Sequence, residues 1–291
     1  MREKIGSKEN YEKIGPTAWG VAYMRSLSDI KYAGEIFKEL EIKIKPADSA
    51  GADYLETIRS SRLAPQPEAR FKLINNLLQG NKTDQILEIA AGLSPRGLSM
   101  TEDHSLKYVE VDLPEMARNK RQIVERISSR ANLERPNLYI EDGDALDLDS
   151  LLSAAEHFEK RPISIVNEGL MRYLNFEQKA AVARNVHALL EKFGGAWITP
   201  DITLKRVIDH EQESEDNRKK VMVLSGIDIE NNSFNNEKEA KLFFENLGFK
   251  IERHGFSEAS PQLTSPRKLG LTPGEVQKLL QDPVVFVMRI K

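Results

Sequence analysis

Short apolar runs alternate with longer amphipathic stretches from residue 84 onwards. The runs have the length of buried strands, and the stretches between them carry apolar residues at helical spacing. This alternation predicts an α/β fold built on a doubly wound, seven-stranded, mostly parallel sheet with helices on both faces. The predicted strands are Gln85–Ala90, Lys107–Val111, Asn137–Glu141, Pro162–Asn167, Ala196–Thr199, Phe249–Arg253 and Val284–Ile290.

The predicted sheet is accompanied by two segments of different character. Residues 1–80 are predicted to be mostly helical and to form an N-terminal helical cap, with residues 81–291 as the sheet domain. Within that domain, residues from about 203 to 236 are polar and charged, and we interpret them as an insert or lid. The predicted helices are Thr17–Leu27, Ser28–Leu40, Glu68–Leu78, Leu113–Arg130, Ser150–Glu159, Phe176–Phe193 and Glu237–Asn246, with a short helix after the capping-box sequence Thr272–Glu275.

Composition argues against several classes of function. The chain has no cysteine, which excludes disulfides, thiolate metal sites and a cysteine nucleophile, and its histidines lack metal-ligand spacing. Lys and Arg total 42 against 45 Asp and Glu, and this net charge of -3 argues against a nucleic-acid partner. No apolar run approaches the ~18 residues of a membrane span, and the charged segment Met1–Asn10 does not look like a secretory signal. We expect a cytoplasmic protein with a small-molecule partner.

A loop of small residues follows the first predicted strand. The segment Glu88–Gly97 contains two glycines, and Asp112 ends the second predicted strand 20 residues after Gly92. Asp144 and Glu168 follow the third and fourth predicted strands. Because the carboxyl ends of parallel strands share one edge of a sheet, we expect these three acids to converge. The layout is typical of a nucleotide-type cofactor site, where small residues admit the ligand and a carboxylate binds a ribose diol.

The converging acids narrow the class of cofactor. A dinucleotide site carries G-x-G-x-x-G and binds a pyrophosphate, but Ala90, Gly92 and Gly97 do not have that spacing. Acids without a cluster of Lys or Arg suit a ligand with positive charge, amines and hydroxyls. S-adenosylmethionine carries a sulfonium, an ammonium, a ribose diol and an adenine amino group, so we favour it. An NAD(P)-dependent oxidoreductase and a non-catalytic cofactor-binding or interaction module are the alternatives.

Three sequence blocks resemble those of a known enzyme family. They are E-I-A-A-G-L-S-P-R at 88–96, Y-V-E-V-D-L-P-E at 108–115 with Lys120 and Arg121 downstream, and E-G-L-M-R-Y-L at 168–174. On these blocks the chain resembles the leucine carboxyl methyltransferase-like group of class I S-adenosylmethionine-dependent O-methyltransferases, which includes the tetracenomycin polyketide O-methyltransferases. The likeness covers about residues 84–200 and implies a Rossmann-like methyltransferase fold, with S-adenosylhomocysteine as the product of the cofactor.

The resemblance implies a role for several residues. Gly92 would admit the methionine part of the cofactor, and Asp112 would accept hydrogen bonds from the ribose hydroxyls. Asp144 would accept from the adenine amino group, with the next residue beside the ring. Glu168 would face the ammonium or the sulfonium, and Arg70 matches a family arginine that pairs with the cofactor carboxylate. The residues expected to contact the cofactor are Arg70, Glu88, Gly92, Asp112, Leu113, Asp144, Ala145 and Glu168.

Two positions depart from the family pattern, and some residues have simpler interpretations. Ala90 stands where the family usually has its first glycine, and Ser94 stands where it has aspartate. Because alanine tolerates only ordinary backbone angles, we expect the loop to avoid a positive φ at Ala90. Glu88 could only orient the loop, and Asp144 could cap the helix that follows it.

The acceptor of the methyl group is not specified by any motif. Methyl transfer is an in-line displacement at an activated carbon, so proximity and alignment supply most of the catalysis. A carboxylate acceptor needs no general base, whereas a hydroxyl benefits from one. Asp201, His210 and Tyr173 follow the fifth and fourth predicted strands and are the candidate catalytic residues. We predict an O-methyltransferase acting on a carboxylate or hydroxyl of a small molecule; a protein C-terminus is a less favoured acceptor.

Overall fold

A seven-stranded sheet forms the centre of the fold. The computed structural model describes residues 15–43, 56–202, 204–205 and 228–291 of the 291-residue chain. The strands are β1 (Gln85–Ile89), β2 (Lys107–Asp112), β3 (Leu138–Asp142), β4 (Ile163–Asn167), β5 (Gly195–Thr199), β6 (Phe249–Gly255) and β7 (Val284–Ile290). Their order is β3-β2-β1-β4-β5-β7-β6; β1 to β5 run parallel, and β7 is antiparallel to both β5 and β6. The predicted doubly wound, mostly parallel sheet is confirmed.

The helices also follow the sequence pattern closely. They are α1 (Gly15–Ser26), α2 (Ala33–Lys43), α3 (Pro65–Asn81), α4 (Arg96–Met100), α5 (Pro114–Ala131), α6 (Leu148–Ala154), α7 (Phe176–Phe193), α8 (Glu237–Asn246), α9 (Ser265–Lys268) and α10 (Pro273–Leu280). Residues 56–60 are helical too, and 3-10 turns lie at Ala155–His157, Met171–Tyr173 and Phe256–Gln262. Both α7 and α8 begin and end where predicted. Their starts are set by Asn175 and Asn236, whose side chains accept a backbone N–H of the first turn.

Alternate residues of each strand pack into cores on opposite faces of the sheet. Leu87 and Ile89 of β1 face α6, α7 and α8, whereas Ile86 faces α3 and α10. A third cluster joins α1 and α2 to α5 through apolar side chains, with Leu93 and Leu98 contributed from the β1 side. This arrangement buries Glu88 and Glu110, since they occupy the same face as Ile86 and are opposite one another in the β1–β2 register.

The flanking segments are described in part. Helix α3 lies within the predicted N-terminal cap but packs directly on the sheet face, and the domain boundary at residue 80 stays a prediction. Most of the predicted lid at about 203–236 falls outside the described residues. Within the described ranges, no helix has the length and apolarity to cross a bilayer, and no group of His, Asp or Glu side chains is arranged to hold a metal ion.

Candidate active site

The loops that follow β1, β2, β3 and β4 meet at the carboxyl edge of the sheet. These four strands are neighbours and run parallel, so their ends lie side by side. The backbone N–H of Gly143 donates to the carbonyl oxygen of Asp112 at 2.8 Å, which joins the loops after β2 and β3. Asp112 ends β2, and Asp144 and Glu168 lie in the loops after β3 and β4, so the three acids share one edge of the sheet.

The loop after β1 turns at two residues with left-handed backbone angles. Gly92 has a φ of +51° and Ala90 has a φ of +53°. The expectation that the loop avoids a positive φ at Ala90 is therefore wrong. The chain turns at Ala90, and the N–H of Ala91 donates a hydrogen bond to the carbonyl oxygen of Val111 at 3.2 Å. A left-handed alanine costs about 1–2 kcal/mol, which the surrounding contacts must offset.

Gly92 and Asp112 form one unit at this edge. The Gly92 N–H donates to Asp112 Oδ2 at 2.6 Å, and the Leu113 N–H donates to Asp112 Oδ1 at 2.8 Å. Burial raises the pKa of Asp112, and these two backbone donors act in the opposite direction. An added Cβ at Gly92 would meet no described protein atom within 4 Å, so the loop borders open space beside a carboxylate.

The loop after β3 carries Asp144 and Ala145. Asp144 Oδ1 accepts the N–H of Leu146 at 2.9 Å, and the carbonyl of Ala145 accepts the side-chain amide of Asn185 at 2.9 Å. The interpretation of Asp144 as a helix cap is not supported, because Asp147 is the residue that caps α6. Asp144 instead closes a local turn that places Ala145 at the same edge as Asp112.

Glu168 lies at the centre of an arginine cluster. Its carboxylate contacts Arg25 of α1, Arg70 of α3 at 2.6 Å and Arg96 of α4 at 2.8 Å. Burial alone would raise the pKa of Glu168, but the three guanidinium charges outweigh it and hold that pKa well below its usual range. Helices remote in sequence therefore meet on one acid that follows β4.

The cluster carries more positive than negative charge. Arg96 also pairs with Glu88, so three guanidinium groups face two carboxylates. Burial lowers the pKa of Arg25, and its Nε is buried without a hydrogen-bond partner among the described residues. Buried excess positive charge with a spare donor is suited to a carboxylate ligand.

Glu88 has both oxygens occupied by protein groups. Oε1 accepts Arg96, and Oε2 accepts the hydroxyl of Tyr108 at 2.7 Å. The side chain is 1% exposed. The structure therefore supports the simpler interpretation, in which Glu88 orients Arg96 towards Glu168; direct contact of Glu88 with a cofactor stays a prediction that this geometry does not favour.

Asp201 holds the loop after β4. Its carboxylate accepts the N–H groups of residues 169, 170 and 171 at 2.8, 2.7 and 3.1 Å and the side-chain amide of Asn167 at 2.8 Å. The residue is 4% exposed. Four donors on one buried carboxylate leave it poorly placed to take a proton, so the structure argues against the predicted general base and for a role in fixing the loop that carries Glu168.

The other two candidate catalytic residues are Tyr173, which the structure describes, and His210, which it does not. The hydroxyl of Tyr173 donates to the hydroxyl of Thr17 in α1 at 3.1 Å, which ties the loop after β4 to the N-terminal helices. His210 lies outside the described residues. No geometry therefore supports a base at either position, and both stay predictions.

A family comparison bears directly on this edge of the sheet. The model of the leucine carboxyl methyltransferase family matches residues 30–187, more than half of the chain. The chain belongs to this family. It is an S-adenosylmethionine-dependent methyltransferase, and nothing favours the oxidoreductase or the non-catalytic alternative.

Solved methyltransferase structures are similar to this family member at low sequence identity. The methyltransferase domain of a bacterial CtHen1 is 12% identical over 78% of this chain and 98% of that chain, with a TM-score of 0.50. A SAM-dependent methyltransferase from Anabaena variabilis is 13% identical over 77% and 85%, with a TM-score of 0.48. A geranyl diphosphate methyltransferase solved with SAM is 14% identical over 84% and 92%, with a TM-score of 0.45. No curated protein matches the chain.

The residues at the carboxyl edge suit the cofactor of a leucine carboxyl methyltransferase. Each oxygen of Asp112 accepts one backbone donor and has a further lone pair for a ribose hydroxyl. The open space at Gly92 admits a ligand next to that carboxylate. The arginines around Glu168 match the carboxylate of a methionine moiety. Both oxygens of Glu168 are paired with guanidinium groups, so its contact with the ammonium stays a prediction.

Sequence reasoning missed several members of this site. Arg25 has no motif around it and reaches Glu168 from a helix 143 positions earlier in the chain. Tyr108 and Lys120 stood inside the family blocks, but only the fold shows that the former bonds Glu88 and that the latter approaches the loop after β1. What distinguishes these residues is that they are charged or polar side chains buried on strands and helices. Burial depends on tertiary packing, so the sequence does not reveal it.

Proposed function

We propose that the chain is an O-methyltransferase that transfers the methyl group of S-adenosylmethionine to an oxygen of a small-molecule acceptor, with a carboxylate favoured over a hydroxyl. The hydrogen bonds to Asp201 carry this preference, since four donors bind its carboxylate and a hydroxyl acceptor would benefit from a free base. The excess positive charge of the arginine cluster also favours an anionic acceptor nearby.

We assign the cofactor to the edge residues as follows. Asp112 binds the ribose hydroxyls, with Gly92 and Leu113 lining the same side, and Asp144 with Ala145 takes the adenine. Arg70 pairs with the cofactor carboxylate and Glu168 with its ammonium. The hydrogen bonds that orient these groups before binding support the assignment, because a preorganised site spends less free energy on ordering.

The chemistry is a single displacement at carbon. S-adenosylmethionine, when bound, would supply a methyl group activated for transfer to the acceptor oxygen, with the sulfur as the leaving group that keeps the electron pair of the broken bond. The protein contributes alignment and charge. Asp201 fixes the 169–171 backbone and thereby Glu168, and the guanidinium groups hold an anionic oxygen near the transferring group.

The N-terminal helices are proposed to cover the acceptor side of the site. Arg25 and Thr17 of α1 already contact Glu168 and Tyr173 of the loop after β4. We extend this to the predicted cap over residues 1–80 and to the predicted lid at about 203–236, which would exclude water from the reacting groups. A cytoplasmic location is likewise a proposal, and cell fractionation tests it.

Calorimetric titration tests the cofactor assignment. We expect S-adenosylmethionine and S-adenosylhomocysteine to bind and NAD not to bind. Asp112→Ala should abolish binding while the protein stays folded. Asp142→Ala is the matched control, because Asp142 pairs in register with Asp112 on β3 yet is exposed and bonded to Arg121. Normal affinity in Asp112→Ala would contradict the ribose assignment.

A labelled-methyl assay tests the acceptor class. Pools of small carboxylic acids, of phenols and alcohols, and of amines and thiols are incubated with labelled cofactor alongside a peptide ending in leucine, and the products are treated with base. A methyl ester releases volatile labelled methanol, whereas a methyl ether keeps its label. We expect base-labile label from the carboxylic acids. Base-stable label from the phenols alone would contradict the carboxylate preference, and label only on nitrogen or sulfur acceptors would contradict O-methylation.

A further inference from the structure

A buried lysine beneath the loop after β1 has no part in the roles assigned so far. Lys120 of α5 is 1% exposed. Its Nζ donates to the carbonyl oxygen of Gly92 at 3.3 Å and to that of Ser94, and it lies 3.0 Å from Glu110 Oε2. Two N–H groups of the ammonium are therefore matched by loop carbonyls, and Glu110 supplies a counter-charge beside it.

Lys120 and Asp112 act on the same residue from opposite sides. Asp112 accepts the N–H of Gly92 at 2.6 Å, and Lys120 donates to its C=O. Gly92 has a left-handed φ, and its Cα borders open space. Two charged side chains thus fix both peptide groups of the residue proposed to line the cofactor, and only one of the two, Asp112, is placed to touch that cofactor.

Glu110 in turn holds the ammonium of Lys120. The carboxylate lies within the sheet on β2, and neither oxygen has a hydrogen-bond partner among the described residues apart from the ion pair with Lys120. It occupies the space that a side chain at Gly97 would need, because a Cβ there would overlap the carboxylate. Glycine at position 97 therefore makes room for Glu110.

We propose that Lys120 is a positioning residue for the cofactor: it fixes the carbonyls of Gly92 and Ser94 so that the loop has its binding conformation before the ligand arrives. Glu110 keeps the ammonium aimed at those carbonyls. The inference rests on the proposed placement of S-adenosylmethionine at this loop. A loop ordered in advance does not pay its conformational entropy on binding, so losing the lysine weakens affinity without removing a ligand contact.

Calorimetric binding of S-adenosylhomocysteine to the full-length protein provides the test. Lys120→Met keeps the length of the side chain and removes the three donors. We expect the Kd to rise about tenfold or more, the effect of losing one hydrogen bond to a charged group or an outer-shell partner. Thermal unfolding of the same sample, without ligand, reports separately on stability.

A double variant separates loop positioning from a general loss of stability. Lys120→Met leaves Glu110 buried without a counter-charge, and adding Glu110→Gln removes that charge. We expect the double variant to regain thermal stability while its affinity stays weak. Recovery of affinity together with stability would overturn the inference, as would normal affinity in Lys120→Met.

Two further variants complete the comparison. Lys72→Met removes another largely buried ammonium, which donates to the carbonyl of Gln262 at 2.6 Å and pairs with Glu68 away from the loop; its affinity should match that of the wild type. An equal loss in Lys72→Met would overturn the inference. Normal binding by Asp112→Ala would overturn the proposed placement of the cofactor and the inference with it, whereas normal binding by Lys120→Met alone overturns only the inference.

Discussion

Glu168 and Glu110 are two buried carboxylates on either side of the loop after β1. Their surroundings shift their pKa values in opposite directions. Three guanidinium groups contact Glu168 and keep its pKa well below the usual range although burial acts against them. Glu110 has one ammonium at 3.0 Å, and the neighbouring acids Glu88 and Asp112 oppose its charge. Burial therefore dominates there and raises the pKa of Glu110 to about 7.

The difference shows that burial alone does not decide whether an acid stabilises a fold. An ionised carboxylate is stabilising inside a protein when enough positive charge is fixed around it, and costly when it is not. Glu168 should therefore favour folding when ionised. Glu110 should favour folding when protonated, so the two acids give stability opposite dependences on pH.

Glu168→Gln should produce the largest effect. The substitution leaves three guanidinium groups, two of them buried, facing only Glu88, and breaking a buried ion pair costs about 3–5 kcal/mol. We expect that loss of unfolding free energy in urea denaturation at pH 7. Because the pKa of Glu168 is lowered on folding, the wild type should lose this advantage as the pH falls below about 4.5, the ordinary value of a glutamate.

Glu102→Gln is the control for this prediction. Glu102 also pairs with two cations, Lys31 and Arg135, but its side chain is 34% exposed. A solvent-screened pair contributes little, so the loss should stay below about 1 kcal/mol. Equal losses in the two variants would remove the distinction between a buried cluster and a surface one.

Glu110→Gln should change the pH dependence of stability in the opposite direction and by a smaller amount. The folded pKa of about 7 lies above the ordinary 4.5, so ionisation of Glu110 destabilises the wild type as the pH rises through that window. Relative to the wild type, the variant should gain on the order of 2 kcal/mol of unfolding free energy between pH 4.5 and pH 8. A stability difference that does not change with pH would show that Lys120 fully compensates the buried charge.

Ala90→Gly should have the smallest effect, and it tests the loop that joins the two sites. Glycine adopts the φ of +53° without the cost that alanine has there, so the variant should gain about 0.5–1 kcal/mol in urea denaturation. Ala91→Gly should instead lose stability. Ala91 has no positive φ, so glycine there only increases the conformational freedom of the unfolded chain. Destabilisation by Ala90→Gly would mean that the methyl group is needed where it packs.

Much of the fold could be predicted from local pattern. The seven strands were placed within one or two residues at each end, since each is a short apolar run ended by turn residues. Helix ends were less predictable: α3 continues past Gly80 to Asn81, and Lys82 takes the left-handed position with a φ of 52°. The helix passes Gly80 by one residue and is capped at Lys82, whose N–H donates to the carbonyl oxygen of Gln79.

The site was predictable only where strand topology controls it. Asp112, Asp144 and Glu168 follow three parallel strands, so their shared edge is a consequence of chain direction. The structural argument against Asp201 as a base was not visible in the sequence, because nothing local shows that three backbone N–H groups and Asn167 converge on its carboxylate. Such convergence depends on two loops that meet only after folding.

The sequence by itself determined the sheet and the edge at which ligands are expected to bind, because these follow from periodicity and strand direction, and its family blocks indicated the class of cofactor. The tertiary structure decided which positive charges surround the buried acids, and so the direction in which their pKa values shift. Arg25, Arg70 and Arg96 come from three separate helices to Glu168, and a single lysine reaches Glu110. Electrostatic free energy depends on distance and burial, and neither is encoded in the spacing of residues along the chain.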